Sequence, residues 1–317
     1  MNILILGGTG FIGPHVVRNL AASGHAITLY NRGQSMAEIP VGLTHITGDR
    51  ATIGDSASRF RALRPDVVLD MRALVEADAR NVVETVTGIT PRLVTISSID
   101  VYRAFARLIG TEPGPPELVP FVESAPLREK RYPYRGDTLP DPTDPRAWTH
   151  DYDKIPIEQV VLGTPGIAGT ILRLPMVYGD NDYQHRLLPY VQRFADNRPV
   201  ILLGEKQAEF RATRGYVGNV AAAIALAVTD DRARGRIFNI GDEIAYTERE
   251  WLGFVKNAAG WQGEIEVVPD DELPESLGAG GNTEHHIFAD TSTISSPTRA
   301  PSVAILGSSS RLIWPSA

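Results

Sequence analysis

Three glycines near the start of the chain lie between a short apolar segment and a helix-forming segment, and their spacing restricts the fold more than any other feature. The apolar run Ile-Leu-Ile-Leu is followed by Gly-Gly-Thr-Gly-Phe-Ile-Gly, which places glycines at Gly7, Gly10 and Gly13. In a strand–loop–helix unit the first glycine permits a tight turn, the second lets backbone N–H groups approach phosphates, and the third lets the helix pack closely. The pattern therefore predicts a dinucleotide-binding βαβ unit whose site includes Phe11 and Ile12.

Short apolar segments alternate with helical patterns through the first half of the chain. This alternation predicts a doubly wound α/β fold, in which helices cover both faces of a parallel sheet. Ligands of such sheets bind at the carboxyl ends of the strands, so the residues that follow each strand are candidates for the site. The later predicted strands are 26–30, 43–47, 67–70 and 93–97, and the predicted helices include 11–23 and 73–86.

Size and composition exclude several classes of protein. With 317 residues, 43% of them hydrophobic and 22% charged, the chain can bury a large core and form one α/β domain with a smaller lobe. A net charge of −7 gives no footprint for nucleic acid or an acidic membrane. Cysteine is absent and the seven histidines are scattered, so we expect no disulfide, thiol nucleophile or metal site. No basic leader and no apolar run of roughly 20 residues is present, which predicts a cytoplasmic protein.

The residues after the second predicted strand bear on the choice of cofactor. A carboxylate there would hold the ribose 2′-hydroxyl of NAD, but this chain has Asn31 followed by Arg32. An arginine can pair with the 2′-phosphate of NADP, and this favours NADP over NAD. The alternative is that Arg32 is a solvated loop charge, which leaves both cofactors open.

Three further motifs follow in chain order. Residues 97–102 read Ser-Ser-Ile-Asp-Val-Tyr, residues 154–159 read Lys-Ile-Pro-Ile-Glu-Gln, and residues 172–179 read Leu-Arg-Leu-Pro-Met-Val-Tyr-Gly. Together with the glycine loop, they resemble the extended branch of the short-chain dehydrogenase/reductase superfamily, the NAD-dependent epimerase/dehydratase family. The resemblance covers roughly residues 2–270 and implies a Rossmann-type sheet with a smaller C-terminal substrate lobe.

The resemblance also implies a division of the chain. Residues 1–172 would form the dinucleotide-binding domain, and 214–241 would return to it. The substrate lobe would comprise 173–213 and 242–290. The remaining segment, 291–317, is rich in serine, proline and alanine, lacks a helical period and is predicted to be irregular.

Several residues at strand ends are assigned to the cofactor by the resemblance. It implies a contact from Asp49 to the adenine, places Asp70 and Met71 beside the pyrophosphate, and puts Lys154 at the nicotinamide ribose. Small residues are usual after the fourth strand, so Met71 and Arg72 depart from the family pattern. The complete set that the resemblance adds to the glycine loop is Asp49, Arg50, Asp70, Met71, Ser97, Lys154 and Pro175.

The catalytic residues that the resemblance implies are only partly present. Ser98 occupies the position of the family's catalytic serine or threonine, and Lys154 that of the lysine in its Tyr-x-x-x-Lys motif. The residue four before the lysine is His150, and Tyr152 lies only two before it, a spacing that places side chains on different faces of a helix. A helix that starts close to Pro156 would leave Tyr152 outside it. Three interpretations stay open: Tyr152 is the acid/base, His150 is the acid/base, or proton transfer is lost.

Three arginines are candidates for substrate contacts. The family commonly uses an asparagine to bind the diphosphate of a sugar nucleotide where this chain has Met176. Arg214 occupies the position of a phosphate-binding arginine, and Arg211 and Arg186 add positive charge. The alternative is that these residues form a basic loop on an acidic protein.

The leading hypothesis is an oxidoreductase, epimerase or dehydratase that moves hydride between a nicotinamide cofactor and a hydroxyl or carbonyl carbon of a small molecule, nucleotide sugars included. The alternative is a non-catalytic nucleotide-binding protein, either a redox sensor or an RNA-associated member of the superfamily, because the Tyr-x-x-x-Lys spacing is absent. Nucleic acid is not an expected partner of the leading function, and a homodimer is left open.

Overall fold

The computed structural model describes most of the chain up to residue 273 and two short strands beyond it. In chain order the strands are β1 (Asn2–Leu6), β2 (Ala26–Asn31), β3 (Thr44–Thr47), β4 (Val67–Asp70), β5 (Arg92–Ser98), β6 (Ala168–Leu174), β7 (Met176–Tyr178), β8 (Val200–Gly204), β9 (Arg214–Tyr216), β10 (Ile237–Asn239), β11 (Glu264–Val268), β12 (Ala304–Leu306) and β13 (Arg311–Ile313). The described residues are 1–34, 39–115, 117, 121–136, 138–141, 143–144, 146–273, 304–306 and 311–313.

Seven strands form one parallel sheet in the order β10-β6-β5-β4-β1-β2-β3. The strand order reverses between β1 and β4, and this point is where ligands of doubly wound sheets bind. The sheet confirms the predicted α/β fold. The predicted strands match β2, β3, β4 and β5 to within one residue at each end.

Helices cover both faces of this sheet. They are α1 (Gly13–Ala22), α2 (Ala57–Leu63), α3 (Glu76–Val86), α4 (Arg103–Leu108), α5 (Lys154–Gly163), α6 (Leu188–Ala195), α7 (Glu205–Glu209), α8 (Val217–Thr229) and α9 (Glu248–Ala259). In β1, Ile3 and Ile5 join the core that contains α1 and α8, whereas Leu4 and Leu6 join the core that contains α3 and α5. Because both faces of β1 are buried, the strand has a continuous apolar sequence instead of an alternating one.

Two helices are shorter than the sequence pattern predicts. The predicted helix 11–23 begins only at Gly13, and the predicted helix 73–86 begins only at Glu76. In the second case the Asp78 carboxylate accepts hydrogen bonds from the backbone N–H groups of the two residues before the helix, at 2.9 and 3.2 Å. These bonds fix a turn where the apolar pattern alone suggested helix.

A second, smaller core is built from α6, α7, α9, β8 and β11. Its buried side chains are Phe194, Ile201, Leu203, Ala208, Leu252 and Trp261. A capping box opens α9, since the Thr247 hydroxyl accepts the Glu250 N–H at 3.1 Å and the Glu250 carboxylate accepts the Thr247 N–H at 2.8 Å. Between α6 and α9 the chain returns to the main sheet, where α8 packs on α1 and β10 pairs with β6.

Within the described residues, no helix is both long and apolar enough to cross a bilayer. Of the segment 291–317, the structure describes only β12 and β13, which pair antiparallel. The rest of that predicted irregular segment lies outside the described residues.

Candidate functional site

The glycine loop between β1 and α1 has a geometry that requires glycine at specific positions. Gly7 and Gly8 have φ of +94° and +84°, in the left-handed region that side chains disfavour. A Cβ atom on Gly13 would lie 2.4 Å from the Gly8 carbonyl carbon, so α1 packs directly on the loop backbone. A Cβ on Gly10 would meet nothing within 4 Å, so this glycine faces open space. The loop therefore presents bare backbone at the sheet edge.

The first turn of α1 has no side chain that caps it. Ile12 at the N-cap makes no side-chain hydrogen bond, and the first turn contains no acidic residue. The first N–H groups of a helix lack partners within it and carry the positive end of its dipole, so they favour an anion. Together with the open loop, this helix start fits the pyrophosphate of a dinucleotide. Phe11 packs against the core and makes an edge contact with Tyr183 at 6.4 Å between ring centroids.

At the end of β2 the two residues predicted to select the cofactor have different environments. The Asn31 side-chain oxygen accepts the Gly33 N–H at 2.8 Å and lies 2.7 Å from His45 Nε2. Arg32 is exposed, and its guanidinium makes no hydrogen bond or ion pair with any residue that the structure describes.

The predicted polar residues after β3 and β4 already have protein partners. The Asp49 carboxylate accepts the Ala51 N–H at 2.8 Å. Arg50 donates two hydrogen bonds to Asp70, which is buried, and Arg50 Nε lies 3.2 Å from Asp78. Arg50 and Asp70 thus neutralise each other and join the ends of β3 and β4, and their contact with a cofactor stays a prediction.

Three other predicted cofactor residues are placed by packing and by one hydrogen bond. The Met71 N–H donates to the carbonyl at the end of β1 at 3.1 Å, and this side chain borders Gly7 of the glycine loop. Pro175 follows β6 and packs beside Gly215 and Gly241. The Ser97 hydroxyl donates to a buried carboxylate at 2.5 Å.

That carboxylate belongs to Glu158 of α5 and forms a buried network. Arg173 of β6 donates to both of its oxygens, at 3.0 and 2.7 Å, while Ser97 of β5 donates to one of them. The network joins β5, β6 and α5 directly behind the strand end that carries Ser98.

Ser98 and Tyr152 are brought together by a third residue, Asp100. The Ser98 hydroxyl accepts the Asp100 N–H at 3.2 Å and starts a 3₁₀ turn, Ile99–Val101. The Tyr152 hydroxyl donates to Asp100 Oδ2 at 2.7 Å, so both side chains contact the same residue. Two of the predicted catalytic residues therefore share one cluster at the carboxyl end of β5.

Tyr152 reaches this cluster because it lies before α5. The helix begins at Lys154, and the Asp153 carboxylate caps it by accepting the Ile155 N–H at 2.9 Å. The prediction that a late helix start leaves Tyr152 outside α5 is confirmed. The side chains of Tyr152 and Lys154 consequently approach each other, with Lys154 Nζ 5.8 Å from the tyrosine ring centroid.

Lys154 is buried between the ends of β4 and β5. Its ammonium donates to the Ala73 carbonyl and, at 3.2 Å, to the Ile96 carbonyl. Burial lowers the pKa of this amine, because the charged form loses its hydration. The lysine thus occupies the predicted edge of the sheet but is bonded to carbonyls instead of to Tyr152.

Asp100 was not among the predicted site residues. The signal was present in the sequence, since an acid stands inside the Ser-Ser-x-x-Val-Tyr motif. Burial raises the pKa of the Asp100 carboxyl, against the opposing effects of the Tyr152 hydrogen bond and the charges of Arg128 and Lys154. Burial, followed by the negative charge of Asp100, raises the pKa of Tyr152 well above its usual value.

His150, the alternative acid/base, lies in the 3₁₀ turn Ala147–Asp151. Its backbone carbonyl accepts a hydrogen bond from Arg135 at 3.1 Å. Among the described residues, its ring makes no hydrogen bond with Ser98 or Asp100. Among the described residues, Asp100 thus connects Ser98 with Tyr152 and not with His150.

Each predicted substrate arginine is paired with a carboxylate that the sequence did not reveal. The pairs are Arg186–Asp182, Arg211–Glu250 and Arg214–Glu248. Arg214 is buried, and its guanidinium carbon lies 4.4 Å from the Trp251 ring centroid. The other two arginines are partly exposed. Within the described part of the chain, no group of three or more acidic or histidine side chains could hold a metal ion.

Comparison with known proteins identifies the family. The NAD dependent epimerase/dehydratase family matches residues 3–241, about three quarters of the chain. The chain belongs to this family. Its sequence is 26% identical to the 2'-dehydrokanamycin reductase of Streptomyces kanamyceticus over 285 residues, covering 87% of this chain and 72% of the reductase.

Two other relatives have different described roles. The chloroplast stem-loop binding protein of 41 kDa b from Arabidopsis thaliana is 24% identical to this chain. The match covers 84% of this chain and 65% of that protein. The UDP-glucose 4-epimerase of Thermus thermophilus, solved in complex with NAD, has a TM-score of 0.57 and 24% identity over 85% of this chain and 86% of its own. This likeness to the epimerase supports the fold. The proteins similar to this chain include enzymes of three kinds, namely a reductase, a UDP-glucose 4-epimerase and a dTDP-glucose 4,6-dehydratase.

Proposed function

We propose that this protein is a nicotinamide-dependent oxidoreductase, or an epimerase or dehydratase that works by hydride transfer, acting on a hydroxyl or carbonyl carbon. The observation that carries the proposal is that Ser98 and Tyr152 both bond to Asp100 at the carboxyl end of β5, with Lys154 buried alongside. This cluster lies at the same edge of the sheet as the glycine loop, where a dinucleotide fits.

The chain's own residues divide the work at the substrate oxygen. When bound, the nicotinamide supplies or accepts the hydride. The Ser98 hydroxyl would hydrogen-bond the substrate hydroxyl or carbonyl oxygen and polarise it. Tyr152 would move the proton at that same oxygen. The Lys154 ammonium has three N–H donors, and two of them bond to backbone carbonyls. The third would donate to the nicotinamide ribose.

The proposed cofactor is NADP or NAD, with NADP favoured. The support for NADP is the exposed Arg32 at the end of β2 and the absence of a carboxylate at that strand end. Contact with Asn31 would orient the ribose, because its side-chain oxygen is fixed by Gly33 and His45.

Nucleotide sugars are the first substrate class to test. The smaller core around α6, α9 and β8 would form the substrate lobe, next to the paired arginines. Arg186 and Arg211 are partly exposed, so a diphosphate could bind either guanidinium alongside its present carboxylate. Buried Arg214 would have to exchange Glu248 for the ligand.

The first experiment is a fluorescence titration of the purified protein with NADPH and with NADH. Saturable binding of either supports the cofactor site. The protein is then incubated with UDP-glucose, UDP-galactose and dTDP-glucose and assayed both for cofactor reduction and for an altered sugar, because an epimerase or dehydratase returns its hydride to the substrate. A Gly10→Glu variant, which puts a carboxylate into the open loop, is expected to lose binding and serves as the control. The proposal would be refuted if the parent protein bound neither NADPH nor NADH.

A non-catalytic nucleotide-binding protein is the second candidate. The observation in its favour is the two-residue spacing of Tyr152 and Lys154, which differs from the family's Tyr-x-x-x-Lys. The similarity to a stem-loop binding protein adds support for an RNA-associated role. Cofactor binding without turnover of any nucleotide sugar or carbonyl compound, together with saturable binding of a stem-loop RNA, would favour this candidate.

A further inference from the structure

We propose that Asp100 is the terminal proton acceptor of the site and that Tyr152 relays the proton between the substrate oxygen and Asp100. This inference rests on the proposed function, because the relay acts at the carbon–oxygen group where hydride is transferred. It assigns a role to a carboxylate that lies inside the motif after β5.

The two ends of the Asp100 carboxylate have different environments. Oδ2 accepts the Tyr152 hydroxyl at 2.7 Å, so a proton can move along this bond without any movement of the backbone. Oδ1 is buried and has no hydrogen-bond partner among the described residues. A buried carboxylate oxygen is costly to leave unpaired, so this atom calls for an explanation.

The cations near Asp100 bond to other groups. Arg128 donates to the Asp100 backbone carbonyl at 2.9 Å and forms its ion pair with Asp153. Lys154 donates to two backbone carbonyls. The Asp100 carboxylate therefore interacts electrostatically with both cations but forms a direct ion pair with neither. An aspartate in a direct guanidinium pair would be a weak base, and this one is not in such a pair.

A tyrosine in this position cannot act by ionising. In Tyr-x-x-x-Lys sites the lysine favours the phenolate, but here Lys154 makes no hydrogen bond to Tyr152 within the described residues. The ring of Tyr152 is instead enclosed by Tyr134 and Trp148, at centroid distances of 5.5 and 5.8 Å, and its hydroxyl faces a carboxylate. Tyr152 must therefore give up one proton as it receives another.

In the oxidative direction, two protons move together. The substrate O–H bond breaks as its proton joins Tyr152 Oη, the original Tyr152 O–H bond breaks, and a new O–H bond forms at Asp100 Oδ2. The substrate carbon loses a hydride to the oxidised nicotinamide and becomes a carbonyl. In the reductive direction the same protons move back, and Asp100 supplies the proton that the new hydroxyl gains.

Infrared difference spectroscopy tests the coupling without any substrate. A pH titration of the full-length protein should show the carbonyl stretch of a protonated carboxylic acid, with a midpoint above that of an ordinary aspartate. Asp100→Asn should remove this band, whereas Asp196→Asn, a change at an exposed carboxylate in the second core region, should leave it unchanged. Tyr152→Phe should move the midpoint to higher pH, because the carboxylate loses the hydrogen bond that stabilises its charged form. An unchanged midpoint in Tyr152→Phe, or a band that survives in Asp100→Asn, would overturn the relay.

Kinetics give a second, independent measurement. With UDP-glucose and NAD or NADP as the probe, each of Asp100→Asn and Tyr152→Phe should slow turnover by about 10²–10⁴-fold, measured as cofactor reduction or as formation of an altered sugar. The double variant should be no slower than the worse single variant, since two residues that act as one unit are not additive. Fully additive losses would contradict the relay. If the parent protein neither reduces a cofactor nor alters the sugar, the proposed activity on this substrate fails, while the infrared result still decides whether Asp100 and Tyr152 share a proton.

Discussion

Asp153, the residue between Tyr152 and Lys154, forms an ion pair with Arg128 in which both side chains are fully buried. The same carboxylate caps α5 and accepts the Tyr132 N–H at 2.9 Å. Asp153 therefore ties the start of α5 to the segment that contains Arg128 and Tyr132, which holds the tyrosine and the lysine on its two sides toward one site.

Loss of this pair should destabilise the whole fold. We expect Asp153→Ala to lower the free energy of unfolding by about 3–5 kcal/mol, because it leaves the Arg128 charge buried without a partner. Asp151→Ala, which breaks an exposed pair with Arg135, should cost less than about 1 kcal/mol. Urea denaturation of the two variants measures the difference. Equal losses would show that the buried pair adds nothing beyond an ordinary surface contact.

Two glycines of the loop should have different roles, one in the stability of the protein and the other in cofactor binding. Gly13→Ala should destabilise the protein by about 1–3 kcal/mol, since the new methyl group would overlap the Gly8 backbone. Gly10→Ala should leave stability unchanged within about 0.5 kcal/mol, because open space surrounds that position. The same Gly10 change should weaken NADPH binding. Thermal unfolding and cofactor titration of both variants test this, and a stable Gly13→Ala protein would refute the packing argument.

Arg32 should control the choice between the two nicotinamide cofactors. Arg32→Ala is expected to weaken NADPH binding by about 10- to 100-fold, the effect of losing a charge-assisted hydrogen bond, and to leave NADH binding unchanged. Arg59→Ala, a change of another exposed arginine on α2, is the matched control. A parallel loss for both cofactors, or none for either, would show that Arg32 is a solvated loop charge.

Asp100 should make the stability of the protein depend on pH in an unusual direction. Its pKa is raised in the folded state, so the folded protein binds this proton more tightly than the unfolded chain. The contribution of Asp100 to stability is therefore most favourable below the ordinary aspartate pKa and is lost as pH rises through the raised value. We expect Asp100→Asn to be more stable than the parent at neutral pH, with the advantage shrinking in acid. Unfolding measurements across pH 4–8 would contradict this if the parent were the more stable protein at pH 7.

The local parts of the molecule were predictable from sequence. The turn after β1, the capping box of α9 and the late start of α5 depend on residues within four positions of one another, so their patterns are visible in the chain. The parallel sheet was predictable because its buried strands are continuous apolar runs.

The partners of the site residues were not predictable in this way. Tyr152 is 52 positions from Asp100, Ser97 is 61 positions from Glu158, and Arg214 is 34 positions from Glu248. Each of these contacts depends on the order of the strands in the sheet. The sequence around a charged residue does not indicate which distant residue will be its partner in the folded protein. Arg211 and Arg214 therefore looked free for substrate, although each has a distant carboxylate within reach.

The network of Glu158 with Ser97 and Arg173 has a consequence for how the site moves. Three segments far apart in the chain converge on one buried carboxylate, so the end of β5 cannot open alone while that network is intact. Amide hydrogens along β5 should then exchange with solvent only when the whole domain unfolds, and this strand should belong to the last cooperative unit to melt.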